Sequence, residues 1–387
     1  MDKKDMDLHT DPAYSLIKLL KKMEQQGIDQ DNPVRQRIFA DMLNRQARSK
    51  AVPQQGIFEL TPRCNFDCKM CYVHLEEEQM KHAKELPGNV WISLMDEAVK
   101  NGMMKAQLTG GEAMLHPDFD RIYLHLYSKG IWISLLSNGF LLNWERVEFL
   151  KKYPPKSLQV SLYGSDNASY RRLTGRAVFD RVKENILLAK EIGTNFVLAV
   201  TPNKYFPLEE VERALQFAKK EKIRIQINKD LVDPYEETGR DLTGLEFSEE
   251  DYFHVRHMLC EFNGVKVQAF TGELPDPVWT ANPGKGVACA AGRSLFAVNW
   301  RGEMRACLDL PFKAYPLEDG FQKAWEYVHE RAVNYPFPGE CLSCAYNGIC
   351  TVCPVIHAKG AEPGHADKRI CGRTLRLVRA GLVKLEE

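Results

Sequence analysis

The sequence predicts an α/β protein: a partial (βα)6 barrel with a short helical N-terminal preface and a cysteine-rich C-terminal region. Three observations lead there. Between residues 55 and 230, short apolar runs alternate with helical patterns, as expected of a parallel sheet. A triad of thiols, Cys64, Cys68 and Cys71, follows directly on the first apolar run. After residue 288, seven cysteines fall within 83 residues.

With 387 residues the chain has room for one large α/β unit, a smaller module and a sizeable core. Its 52 Lys and Arg balance 52 Asp and Glu, so no basic footprint points to nucleic acid or an anionic membrane. The longest apolar runs are strand-sized and the opening MDKKDMDLHTDP is polar, which predicts neither a signal peptide nor a spanning helix. Eleven cysteines in such a chain are expected to do metal or redox work in a reducing cytoplasm, not to form disulfides.

Residues 1–52 read as a helical extension. Asp11-Pro12 and Asn32-Pro33 each pair an N-cap with a proline at the first helical position, and Val34, Ile38 and Met42 share one face of the second helix. Packing against the barrel is the expected role. The barrel is expected over residues 53–235. Its strands are placed at Gly56–Leu60, Lys105–Thr109, Ile131–Ser137, Ser157–Leu162, Asn195–Thr201 and Ile223–Asn228. Between them fall helical patterns at Trp91–Asn101, Asp118–Ser128, Asn143–Tyr153, Asp180–Ile192 and Leu208–Glu221. Residues 236–288 read as a connector with a helix near Glu249–Glu261 and a Pro/Gly-rich stretch at Gly272–Gly286. Residues 289–387 form the cysteine-rich unit.

The triad is spaced Cys-x3-Cys-x2-Cys, with Tyr72 after the last thiol. Three thiolates on one short loop can hold three corners of a cubane cluster. A fully protein-ligated cluster takes four cysteines, and the next is Cys260. The fourth iron is thus left for something other than protein. Zinc is the competing reading, with His74 as a fourth ligand. The triad resembles the hallmark loop of the radical S-adenosylmethionine (SAM) enzymes, whose open iron chelates SAM. That resemblance implies a [4Fe-4S] cluster whose electron cleaves SAM to a 5′-deoxyadenosyl radical able to take hydrogen from carbon. It also implies a partial βα barrel with its site at the C-terminal ends of the strands.

Gly110-Gly111-Glu112, at the end of the second expected strand, looks like the family's SAM-binding segment, in which glycines allow close backbone approach and a carboxylate accepts from an ammonium. By the same resemblance Ser137, Asn138 and Ser161, at the next two strand ends, offer polar contacts to SAM. Arg172 is expected to pair with its carboxylate. Tyr163 is a further candidate, with aromatic packing as its alternative role.

The C-terminal pattern, Cys289 and Cys307 followed by Cys341-x2-Cys344-x5-Cys350-x2-Cys353-Pro354 and Cys371, resembles the SPASM extension of these enzymes. Such extensions hold two auxiliary iron–sulfur clusters. Carried over, Cys341, Cys344, Cys350 and Cys371 enclose the distal cluster, and Cys289, Cys307 and Cys353 serve the proximal one. The chain departs from the family twice. The family usually has one residue more than the two that separate Cys350 from Cys353. Members with a fully ligated proximal cluster also carry a further cysteine upstream, where this chain has Pro283, so an open or altered proximal cluster is expected. Structural zinc is the alternative for this region. Cys260 reads as a buried small hydrophobe.

Asp309, two residues after Cys307, is expected to take the substrate proton, as an acid beside the equivalent cysteine does in sulfatase maturases, though here the register is off by one. The resemblance implies a radical SAM oxidoreductase acting on a peptide or protein. Crosslinking, epimerisation and side-chain oxidation are the candidate reactions, with a flavodoxin or ferredoxin-type electron donor. Chemistry on a small molecule, as in cofactor or tetrapyrrole maturation, is the alternative. A non-catalytic iron–sulfur carrier is a third reading, which the Gly-Gly-Glu strand end argues against.

Overall fold

The computed structural model describes residues 33–228, 231–235, 238–265, 286–287, 289–310, 312–344, 346, 350 and 353–382. Six strands, β1 (Gln55–Glu59), β2 (Lys105–Thr109), β3 (Trp132–Ser137), β4 (Ser157–Ser161), β5 (Asn195–Val200) and β6 (Arg224–Ile227), pair parallel and in sequence order. Each matches an expected strand to within two residues. The connecting helices Gly88–Lys100, Phe119–Ser128, Trp144–Lys152, Phe179–Ala189 and Leu208–Lys220 likewise stand where the periodicity predicts.

Strand pleating divides the sheet's work between its two faces. Phe58, Leu108, Leu135 and Leu158 lie side by side in register. All four are essentially inaccessible and belong to the continuous core shared with the helices. The alternate residues Thr109, Leu136 and Ser161 border a cavity on the other face. The register thus fixes which strand residues can reach a ligand.

The sheet extends beyond the barrel strands. β7 (Leu295–Val298) pairs parallel with β1, and β8 (Glu303–Arg305) and β9 (Tyr315–Pro316) continue antiparallel, in the order β6-β5-β4-β3-β2-β1-β7-β8-β9. The boundary expected at residue 289 therefore falls within a stretch whose next residues join the barrel sheet. Phe58 meets Trp91 and Phe296 edge-on, with centroids 6.0 and 5.8 Å apart, which stitches β1, its helix and β7 together.

At the N-terminus, helix Pro33–Ser49 begins at the expected proline. It packs on the barrel through Asn44, which accepts from Lys105 Nζ at 2.8 Å. The first expected helix, Pro283 and nearly all of the Gly272–Gly286 stretch lie outside the described residues. Helix Glu249–Phe262 stands where the connector helix was expected. Helix Asn167–Thr174, between β4 and the next long helix, has no counterpart in the sequence reading. Among the described residues no helix is long and apolar enough to cross a membrane.

Candidate functional site at the strand ends

A cavity of about 690 Å3 opens at the C-terminal ends of the strands, within the size range of small-molecule sites. Cys64, Cys68 and Cys71 border one side, with Phe66, Met70 and Tyr72. Asp309, Ile356 and Lys359 border it from the C-terminal region.

The cysteine loop is held by the backbone around it. The N–H groups of Asp67 and Lys69 donate to the carbonyls of Thr174 and Leu173, at 3.0 and 2.9 Å. This is the work of helix Asn167–Thr174: its last carbonyls need partners, and the loop supplies them. On the other side, Gly111 N–H donates to Thr61 O and Glu112 N–H to Arg63 O, both at 2.8 Å. A Cβ on Gly110 would stand 2.5 Å from the Thr61 carbonyl oxygen, and one on Gly111 would stand 2.3 Å from that of Arg63. Gly110 also has φ +132°. The two glycines are thus required by close packing of β2 against the loop, a reason the motif alone did not reveal.

Burial pushes the Cys64 thiol up to about 12 and raises those of Cys68 and Cys71. As thiolates they need compensating positive charge, which a bound iron–sulfur cluster would supply. Polar donors are also aimed at the sulfurs. Asn138 Nδ2–H reaches Cys64 Sγ at 3.7 Å, Phe66 N–H reaches it at 3.4 Å, and the Tyr163 hydroxyl donates to Cys68. Three desolvated thiols with donors directed at sulfur, beside an open cavity, fit a sulfur-ligated cluster with a free corner.

Glu112 faces inward, 1% exposed. Its carboxylate accepts from Asn138 N–H at 2.8 Å, Ser137 Oγ–H at 3.1 Å and Met114 N–H at 3.5 Å. Burial pushes its carboxyl up to about 7 against these bonds. So Glu112 holds the β3 end in place, and Asn138 in turn reaches Cys64.

The Radical SAM superfamily profile matches residues 58–218, which include this loop and the strand ends around it. These residues are a radical SAM domain. The chain is 22% identical over 345 residues to the antilisterial bacteriocin subtilosin biosynthesis protein AlbA of Bacillus subtilis (strain 168), covering 83% of this chain and 71% of AlbA. It is 26% identical over 324 residues to the AdoMet-dependent heme synthase of Methanosarcina barkeri (strain Fusaro / DSM 804), covering 78% of this chain and 91% of that protein. In fold it resembles SuiB of Streptococcus suis bound to S-adenosylmethionine, with TM-score 0.65, 18% identity and coverage of 92% and 88% of the two chains. A second SuiB structure holds the precursor peptide SuiA. The chain thus carries a radical SAM domain and is similar to peptide-modifying radical SAM proteins, and its C-terminal cysteine-rich region fits a SPASM domain.

Beyond the radical SAM domain, the seven cysteines that follow Cys260 fall into two groups. Cys341, Cys344, Cys350 and Cys371 lie within electrostatic reach of one another, and burial pushes Cys341 up to about 12. Cys289, Cys307 and Cys353 form the second group, together with Asp309. Burial also pushes Cys307 up to about 12, against the backbone N–H groups of Asp309 and Leu310 that favour its thiolate. Among the described residues no three His, Cys, Asp or Glu side chains converge on a single-ion site.

The other expected residues divide. Gly110, Gly111, Ser137, Asn138, Ser161, Tyr163 and Asp309 all line the cavity. Arg172 does not. It lies on the outer side of helix Asn167–Thr174, about half exposed, 3.6 Å from the buried Glu210, because Tyr170 and Leu173 claim the inner side. Cys260 is half-buried on its helix rather than fully buried, its thiol 4.0 Å from the Leu382 carbonyl. His74 turns to Asp67, 3.6 Å away. Sequence reasoning missed Lys359, whose ammonium lies 3.0 Å from Asp233, 3.2 Å from the Leu231 carbonyl and 3.7 Å from Asp309. It also missed Arg240 and Tyr235, which clasp the cysteine loop from outside the barrel. No motif marks any of the three.

Proposed function

We propose that this enzyme holds a [4Fe-4S] cluster on Cys64, Cys68 and Cys71 and binds SAM against Gly110, Gly111, Ser137, Asn138 and Ser161. Its substrate is a peptide or protein from which it removes hydrogen. The single observation that carries this reading is one continuous cavity bordered both by the three thiols and by Asp309.

When bound, cluster and SAM supply the hydrogen-abstracting chemistry, and the protein supplies binding, orientation and exclusion of water. The glycine pair lets β2 approach both loop and ligand. Asn138 and Tyr163 stabilise charge on sulfur. Asp309, beside Cys307 and Cys353, takes the proton that leaves when the substrate loses an electron, and Lys359 balances its charge. The two C-terminal cysteine groups hold auxiliary clusters, the proximal one with three cysteines and an open position. The proposed division is a helical extension at 1–52, the radical SAM barrel at 53–235, a connector at 236–288 and the SPASM unit at 289–387.

A peptide substrate is supported by the likeness to AlbA and by SuiB, which is similar in fold and binds a precursor peptide. The heme synthase, similar over most of both chains, keeps a small-molecule substrate as the second reading.

The test is anaerobic incubation of reconstituted protein with SAM, reductant and a candidate peptide encoded beside its gene, followed by mass spectrometry. The expected result is 5′-deoxyadenosine together with a mass change in the peptide. Replacing Cys64, Cys68 and Cys71 with alanine should abolish SAM cleavage while iron remains in the C-terminal region. Cleavage that survives the triple replacement, or zinc in place of iron, overturns the reading.

A further inference from the structure

The segment that follows β6 lies over the outside of the cysteine loop. Tyr235 N–H donates to the Tyr72 carbonyl at 3.0 Å, and the two rings meet edge-on with centroids 5.6 Å apart. The Tyr235 hydroxyl donates to Glu59, a fully buried carboxylate at the end of β1, at 2.8 Å. Five residues further on, Arg240 makes the closest contact with the loop. Its guanidinium donates to the Cys68 carbonyl at 2.7 Å, to the Asp67 carboxylate, and to Glu76 at 3.0 Å. The side chain is largely buried.

We infer that Arg240 is a positioning residue for the iron–sulfur cluster of the cysteine triad, fixing the Cys68 backbone and setting the ease with which that cluster takes an electron. This inference rests on the proposed ligation by Cys64, Cys68 and Cys71. An arginine suits the task because its planar fork can bond a carbonyl and two carboxylates at once and is always charged. Asp67 and Glu76 do not merely cancel that charge. Asp67 is about half exposed and Glu76 more so, so solvent screens both. The guanidinium, by contrast, is largely buried, bonds the Cys68 carbonyl and lies within electrostatic reach of Cys71, so its charge is less screened there. Reduction adds one electron and no proton to the cluster, so a fixed cation beside it favours the reduced form. Hydrogen bonding and net charge around a cluster are recognised controls of its potential.

The experiment is an electron paramagnetic resonance redox titration of the full-length, anaerobically reconstituted protein. The triad cluster is identified by the change in its signal on adding SAM. Arg240→Gln should lower the reduced-to-oxidised ratio about tenfold at a fixed applied potential, equivalent to ~59 mV for a one-electron couple. Arg240→Lys should recover most of the ratio, since it keeps the charge. Asp67→Asn should move the ratio the opposite way, and it tests the electrostatic half even if Arg240→Gln fails to assemble a cluster. Wild-type protein without a SAM-responsive signal would remove the ligation proposal itself. A wild-type signal with unchanged ratios in Arg240→Gln and Asp67→Asn, or shifts of the same sign in both, would overturn only the role of Arg240.

Discussion

The ammonium of Lys359 lies 3.7 Å from the Asp309 carboxylate and 3.0 Å from that of Asp233. One cation thus ties the acid bordering the cavity to the segment after β6. Asp309 follows β8, and Lys359 follows helix Pro354–Ala358. The acid's orientation therefore depends on parts of the chain distant in sequence.

If Asp309 takes the substrate's proton, Asp309→Asn should slow product formation far more than SAM cleavage, by about 10²-fold or more. Lys359→Met should show the same split more weakly, and the double variant should be no worse than Asp309→Asn alone, because contacting residues do not act additively. Product and 5′-deoxyadenosine quantified in the same reaction check this. Equal losses of both in Asp309→Asn would remove the acid from the proton step.

Gly111→Ala should displace the cysteine loop. The new methyl would meet backbone, the Arg63 carbonyl, rather than a side chain that could turn away. Overpacking of this kind costs about 1–3 kcal/mol, and iron retained by the triad should fall with it. Gly130→Ala, where no atom lies within 4 Å of the new carbon, should cost only about 1–2 kcal/mol for its left-handed backbone and leave iron content unchanged. Thermal unfolding and iron-to-protein ratios distinguish the two.

Arg172→Ala should change SAM binding less than twofold. The side chain does not border the cavity, and its partner Glu210 keeps Arg213, 3.4 Å away. The stability cost of a half-exposed ion pair is about 0–1 kcal/mol. Equilibrium binding of SAM to the reconstituted protein is the measurement, and a tenfold loss would place the arginine at the ligand after all.

Glu112 gives a pH signature. Its carboxyl, pushed up to about 7 in the folded protein, titrates near 4.3 when unfolded. Between those values the folded state holds the extra proton, so this group's contribution to stability falls as pH rises from about 4.3 to 7. Glu112→Gln removes that slope. Melting temperatures of the metal-free proteins across this range should decline more steeply for wild type than for the variant. Parallel curves would show that the carboxylate keeps an ordinary affinity for protons.

How much was legible in the sequence follows from how local each signal was. Lys105–Thr109 was placed to the residue because its alternation and flanking turns are contiguous. β7 was read as part of a separate unit, since its pairing with β1 joins residues far apart and leaves no local trace. Asn138, expected at the site from the family resemblance at its strand end, does line the cavity. Arg172 was misplaced because an arginine near a site does not reveal which side of its helix it occupies. Lys359 and Arg240 act through partners distant in sequence, and a lone cation carries no period or spacing to mark it.

The parallel pairing of β1 with β7 has a consequence for synthesis. β1 leaves the ribosome early, but the strand that covers its outer edge, Leu295–Val298, is made more than two hundred residues later. Until then the nascent chain carries an uncapped row of N–H and C=O groups, a template for pairing with other chains. A fragment ending before residue 295 would keep that edge permanently. Such a fragment is expected to self-associate where the full chain does not, however well its six barrel strands are formed.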